Sequence, residues 1–193
     1  QWKNKGLLPN DVQVKKGIPL ERAILNVYKF YQERLKILNS CDFGDLILLC
    51  VTMFENAPDI QSICVMVQLE VGERFAASPK SKAYGIPSVK AQYWAETKVL
   101  GKVSPNVFLP VPKVDSAILQ IIRKPSPPEV NYTNFSRLIQ TAFQHRRKMI
   151  RKSLSTLIPV SNFTIAEISP QSRPEELSVE DWVKLANTLE MAK

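Results

Sequence analysis

From Leu20 to Leu38 the apolar residues Leu20, Ile24, Val27, Tyr28, Tyr31, Leu35 and Leu38 recur at intervals of three and four, which predicts a helix. Asp42-Phe43-Gly44-Asp45 opens a second helical run over Leu46 to Phe54, closed by Asn56-Ala57-Pro58, while Gln1 to Pro19 reads as irregular. The pattern then changes. Ile63-Cys64-Val65-Met66-Val67-Gln68-Leu69 is continuous, apolar and β-branched, which predicts a strand buried on both faces in a parallel sheet. A helix through Ala77, a turn-rich loop from Ser78 to Pro87 and a helix from Ser88 to Ala95 should follow. Thr97 to Val103 and Val114 to Arg123 are strand-like and flank the Pro-rich stretch Ser104 to Lys113, so they predict a hairpin with a stiff connection.

Lys124-Pro125-Ser126-Pro127-Pro128 forbids helix and central strand and marks a linker. Beyond it, helices are expected over Asn134 to Leu157, near Phe163 to Ile168 and from Ser178 onward. The last has a capping-box start, Ser178-Val179-Glu180-Asp181, with Leu177 and Trp182 placed as a hydrophobic staple. The expected architecture is therefore α/β plus all-α, in three parts: a helical segment 1–62, a partial α/β domain 63–124 and a helical domain 129–193.

Composition narrows the classes. With 193 residues, 45% of them hydrophobic, the chain can bury a core, and no apolar run is long enough to span a membrane. No signal peptide is visible, and three cysteines without C-x-x-C spacing argue against a disulfide framework or zinc ribbon, so a reducing cytoplasm is the expected location. The net charge of +8 is uneven: residues 1–62 carry 8 Lys+Arg against 7 Asp+Glu, residues 63–193 carry 18 against 11. No acidic residue occurs from Val130 to Ala166, a stretch holding Arg137, Arg146, Arg147, Lys148, Arg151 and Lys152. Such a field attracts polyanions.

On a helix through this stretch, Ile139, Ala142, Phe143, Ile150, Leu154 and Leu157 share one arc, and Arg147, Lys148, Arg151 and Lys152 the opposite one. These four cations are the candidate phosphate contacts, against the plainer reading of a solvated basic face. Arg146 falls inside the apolar arc, so it should anchor to a carboxylate or carbonyl. In the stiff loop Phe108-Leu109-Pro110-Val111-Pro112-Lys113, Phe108 is a candidate platform for stacking on a base, against simple packing under the hairpin, and Lys113 a further cation. His145 is the sole histidine and has no placed Ser or Asp partner, so a catalytic triad is not expected; neither is a metal cluster. No G-x-G-x-x-G or G-x-x-x-x-G-K-[ST] motif is present.

Four ordered blocks carry a resemblance: Val67-Gln68-Leu69-Glu70-Val71-Gly72-Glu73-Arg74, Ser81-Lys82-Ala83-Tyr84-Gly85-Ile86-Pro87-Ser88-Val89, Phe108 to Ala117, and Ala142-Phe143-Gln144-His145-Arg146-Arg147-Lys148-Met149-Ile150-Arg151. From Ile63 to its end the chain resembles the KsgA family of ribosomal RNA adenine dimethyltransferases. The resemblance implies the last part of a Rossmann-like methyltransferase sheet followed by a small rRNA-contacting helical domain, with Phe108 beside the target adenine. It also implies S-adenosylmethionine as cofactor and small-subunit ribosomal RNA, in the pre-30S particle, as partner. The family's donor-binding glycine loop and its N-L-P-Y motif should precede Ile63, and neither is present. Instead, Trp2-Lys3-Asn4-Lys5-Gly6-Leu7, Val27-Tyr28-Lys29-Phe30-Tyr31 and Cys41-Asp42-Phe43-Gly44-Asp45-Leu46-Ile47-Leu48 resemble a piece of a UvrD/Rep-type DNA helicase, without its Walker loop. Two expectations follow: a dimethyltransferase relative that cannot hold its methyl donor alone and keeps RNA binding, or a helicase-derived DNA-binding or structural fragment.

Overall fold

The computed structural model describes residues 19–38, 57 and 59–189. The chain forms two compact units, Gln1–Met53 and Phe54–Lys193. Within the first, helix α1 spans Pro19–Ile37, with proline at its start and Glu21 complementing the positive end of the helix dipole. The expected helix over Leu46 to Phe54 lies outside the described residues.

The second unit begins with a three-stranded sheet. Strand β1 (Ser62–Gln68) leads directly into helix α2 (Leu69–Phe75); helix α3 (Ile86–Trp94) runs into strand β2 (Ala95–Val103), and strand β3 (Ser116–Arg123) completes the sheet. The order is β1-β3-β2 with both pairings antiparallel, so the parallel pairing expected for Ile63 to Leu69 is corrected. The expectation that this strand is buried on both faces fails as well. Val67 is buried, whereas Cys64, Met66 and Gln68 on the alternate face are exposed. A β-branched apolar run reports strand propensity; it carries no information about the direction of the neighbour. The expected hairpin is present: β2 pairs with β3 and bulges between Val99 and Gly101.

Ala117, Leu119 and Ile121 of β3 are buried on the sheet face covered by α2 and α3. α2 approaches closely because Gly72 has no side chain; a Cβ there would lie 3.3 Å from Val99 Cγ2 and 3.4 Å from Ala117 Cβ.

Among the described residues seven further elements follow β2: a 3-10 turn Pro105–Val107, β3, and helices α4 (Tyr132–Phe143), α5 (Ile150–Ser153), α6 (Ser161–Ile165) and α7 (Val179–Asn187), with a second 3-10 turn at Pro174–Glu176 before α7. α4 is capped by Asn131, whose side chain accepts from Asn134 N at 3.2 Å. α7 starts with the expected capping box: Ser178 Oγ accepts from Asp181 N at 3.1 Å and Asp181 Oδ2 from Ser178 N at 2.9 Å. Leu177 and Trp182 beside it are buried.

One apolar core joins the two architectures. Tyr84, Val89 and Tyr93, from before the Pro-rich run, share a buried cluster with Phe135, Leu138, Ile139, Leu154, Phe163, Trp182 and Leu185, from after it. Tyr93 lies 4.8 Å from Phe135 and 5.5 Å from Tyr132, ring centre to ring centre. The Pro-rich run has no regular structure but is tied to α3: Tyr93 Oη donates to Pro128 O at 2.8 Å, and Lys124 Nζ to Gln92 O at 2.6 Å.

Candidate nucleic-acid interface

The helix expected over Asn134 to Leu157 is interrupted. α4 stops at Phe143, residues 144–149 form turns, and α5 resumes at Ile150. The reason is tertiary: Ile150 N donates to Ser172 O at 2.7 Å and Arg151 N to Pro170 O at 3.2 Å, so the loop at 170–172 takes the backbone groups a continuous helix would have used. The two faces nevertheless separate as expected. Ile139, Ala142, Ile150 and Leu154 are buried, while Arg147, Lys148, Arg151 and Lys152 are exposed.

Arg146 anchors as its position in the apolar arc predicts. Its Nε donates to Glu175 Oε2 at 2.5 Å, and its Nη2 to Lys82 O at 2.8 Å and Ser81 O at 3.3 Å. Lys80 N also donates to Glu175 O at 2.7 Å, so the 80–82 loop, the interrupting turn and the second 3-10 turn form one brace. Arg146→Ala is expected to lower stability by about 2 kcal/mol, because two carbonyls and a partly buried carboxylate lose a charged donor. Lysine should not rescue it, since an ammonium cannot reproduce the guanidinium fork. Urea titration checks both; an Arg146→Lys protein as stable as the original would contradict the brace.

Beside the brace lies a cleft of about 490 Å³ lined by His145, Arg147, Lys148, Met149, Lys152 and Arg173. Four of the six are permanent cations at neutral pH, and no carboxylate lines it. Arg147, Lys148 and Lys152 were expected here. Arg151 is exposed but lies outside the lining. Arg173 and His145 were not expected: Arg173 arrives from a distant loop, held by its N–H donating to Glu176 Oε2 at 2.9 Å. The sequence signal for it was its position just before Pro174-Glu175-Glu176, a ready 3-10 cap. Phe108 is half-buried and Lys113 exposed on the loop joining β2 and β3, and neither lines the cleft. That loop also exposes Val107, Leu109 and Val111.

Residues 42–191 match the family model described as ribosomal RNA adenine dimethylase. The chain belongs to this family. Residues 1–66 match a second model, the UvrD/REP helicase N-terminal domain. Among similar proteins is a ribosomal RNA small subunit methyltransferase A of Rippkaea orientalis, 38% identical over 69% of this chain and 51% of that protein. Another with the same name, from Coxiella burnetii, is 36% identical over 80% of this chain and 61% of its own length. The chain thus spans about half the length of the first of these relatives. A dimethyladenosine transferase from Plasmodium falciparum shares the fold, with a TM-score of 0.63 and 21% identity over 74% of this chain and 62% of that one. So does the 23S rRNA methyltransferase ErmE, with a TM-score of 0.54 and 23% identity over 73% of this chain and 59% of ErmE. These findings bear out both resemblances read in the sequence.

Proposed function

We propose that this chain binds structured small-subunit ribosomal RNA through the cationic cleft and does not by itself hold a methyl donor. The observation that carries the reading is the cleft: Arg147, Lys148, Lys152 and Arg173 converge there from two separate segments without a carboxylate. Cations converging in a concave site fit phosphodiester oxygens, and arginine supplies bidentate donors. The family membership and the relatives' names favour ribosomal RNA as the polyanion.

S-adenosylmethionine does not fit this cleft. Its sulfonium is a fixed positive charge, and a lining of four cations opposes it. The motifs the family resemblance places around the donor are absent from the sequence. Without a held donor, the positioning that dominates methyl transfer is unavailable. Phe108 and Lys113, away from the cleft lining, form a second contact region in this reading, with Phe108 stacking on a base.

The test is a salt-titrated binding assay with a small-subunit rRNA fragment and a duplex DNA of equal length, together with calorimetry against S-adenosylmethionine. Replacing Arg147, Lys148, Lys152 and Arg173 with Ala is expected to lower the slope of log K against log salt by about 3. Arg151→Ala alone should change it by less than about 1. An unchanged slope in the fourfold variant would sink the cleft assignment. Tighter binding to duplex DNA would favour the alternative, a helicase-derived DNA-binding module, which the match of residues 1–66 supports. Saturable donor binding would restore the enzyme.

A further inference from the structure

Among the described residues β1 is an edge strand, and its backbone geometry identifies which groups face outward. Leu69 N donates to Asp115 O at 2.9 Å and Arg123 N to Gln61 O at 2.8 Å, on the same register that pairs Val65 with Leu119. In an antiparallel ladder the mutually bonded pairs alternate, so Ile63, Val65 and Val67 bond to β3, while the N–H and C=O groups of Ser62, Cys64, Met66 and Gln68 point away from it. No strand takes up those groups among the described residues.

The two sheet edges differ in protection. β2 carries Glu96, Lys98 and Lys102 and is bulged between Val99 and Gly101, the devices that discourage strand addition. β1, Ser-Ile-Cys-Val-Met-Val-Gln, has no charge, proline or bulge. On a chain of net charge +8, an uncharged seven-residue edge is a local gap in the repulsion between copies.

We propose that two copies of this chain associate through β1, forming a continuous six-stranded sheet about a two-fold axis at Val65. The register follows from the outward groups. Pairing Ser62 with Gln68 and Cys64 with Met66 of the second copy engages all of them, and it keeps every side chain on its own sheet face. Val65 then meets its own counterpart on the covered face, and Ile63 meets Val67. On the open face, exposed Met66, opposite Ile118 of β3, gains Cys64 of the other copy as neighbour. A strand from an unrelated protein would find no charge on β1 to select it, whereas a second copy brings the matching β-branched face and the same outward groups.

The test is sedimentation velocity of the full chain over a concentration series at low and high salt. A reversible dimer is expected, strengthened by salt because the like charges of the two copies are screened; RNA binding responds in the opposite direction. Met66→Lys places a cation on the open face at the edge and should weaken association at least about tenfold. Met66→Pro removes an outward N–H without touching the β3 ladder and should abolish it. Lys98→Ala, on the far edge, should leave it unchanged. Amide exchange adds a readout independent of mass: the Cys64 and Met66 amides should become protected as concentration rises. A chain that stays monomeric to its solubility limit, or a dimer indifferent to both Met66 variants, overturns the proposal.

Discussion

Trp182→Ala is expected to destabilise the whole second unit, helices and sheet together. Trp182 is fully buried on α7, its ring 5.9 Å from that of Phe143, in the cluster that also holds Tyr84, Tyr93 and Phe135. Truncating a buried tryptophan to alanine costs about 3–5 kcal/mol, and a domain of this size has a net stability of about 5–15 kcal/mol. The effect should not stay within the helices. α3 packs against α4 and α7 on one side and against α2 and β2 on the other, so losing the cluster also removes the cover of the sheet. Far-ultraviolet circular dichroism and tryptophan fluorescence should therefore report one shared denaturant transition, moved to lower urea. A variant whose sheet outlives its helices would disprove a single core.

Lys90→Met should stabilise the protein at neutral pH, and the gain should vanish in alkali. Lys90 is only 5% exposed on α3, and burial pulls its ammonium down from 10.5 to about 8. Because the folded state holds this proton less tightly than the unfolded chain, the charged form penalises folding below about pH 8. Stability then rises with pH from about 8 to 10.5, as the folded lysine is already neutral while the unfolded one still binds its proton. The full penalty is about 3 kcal/mol, and methionine of similar length removes it. Urea melts of both proteins at pH 7 and above pH 10.5 test this. Tyr84 and Tyr93, both shifted upward by burial, titrate in each protein alike, so the difference isolates Lys90. A gain of equal size at both pH values would mean that packing, not charge, is responsible.

Legibility in the sequence followed the range of the interaction. The capping box of α7 and the staple beside it involve residues three to five apart and were readable directly. Arg146 was readable because a cation on an apolar arc must find an acceptor. The break after Phe143 was not. Ile139 and Ile150 are eleven residues apart, close to three helical turns, so periodicity is the same whether the helix runs on or folds back. What decides is Ser172 accepting from Ile150 N, a contact that no local pattern encodes. The same loop brings Arg173 to the cleft, which is why only part of the cationic lining was evident beforehand. The direction of β1 was hidden for a related reason, since composition reports a strand and its neighbour is set elsewhere in the chain.

The Pro-rich run from Lys124 to Pro128 changes the architecture without ending the fold. Tyr93 and Gln92 grip it from α3, and the cluster beneath continues past it. A protease that nicked the chain there would release nothing under native conditions: the fragments would remain a noncovalent pair, held by Tyr84, Val89 and Tyr93 on one and Phe135, Leu138 and Trp182 on the other. By the same token the helices that carry the cationic cleft cannot be cut out as a portable module beginning at Glu129. The piece would expose the apolar surface that α3 now covers, and would be expected to precipitate before it bound anything.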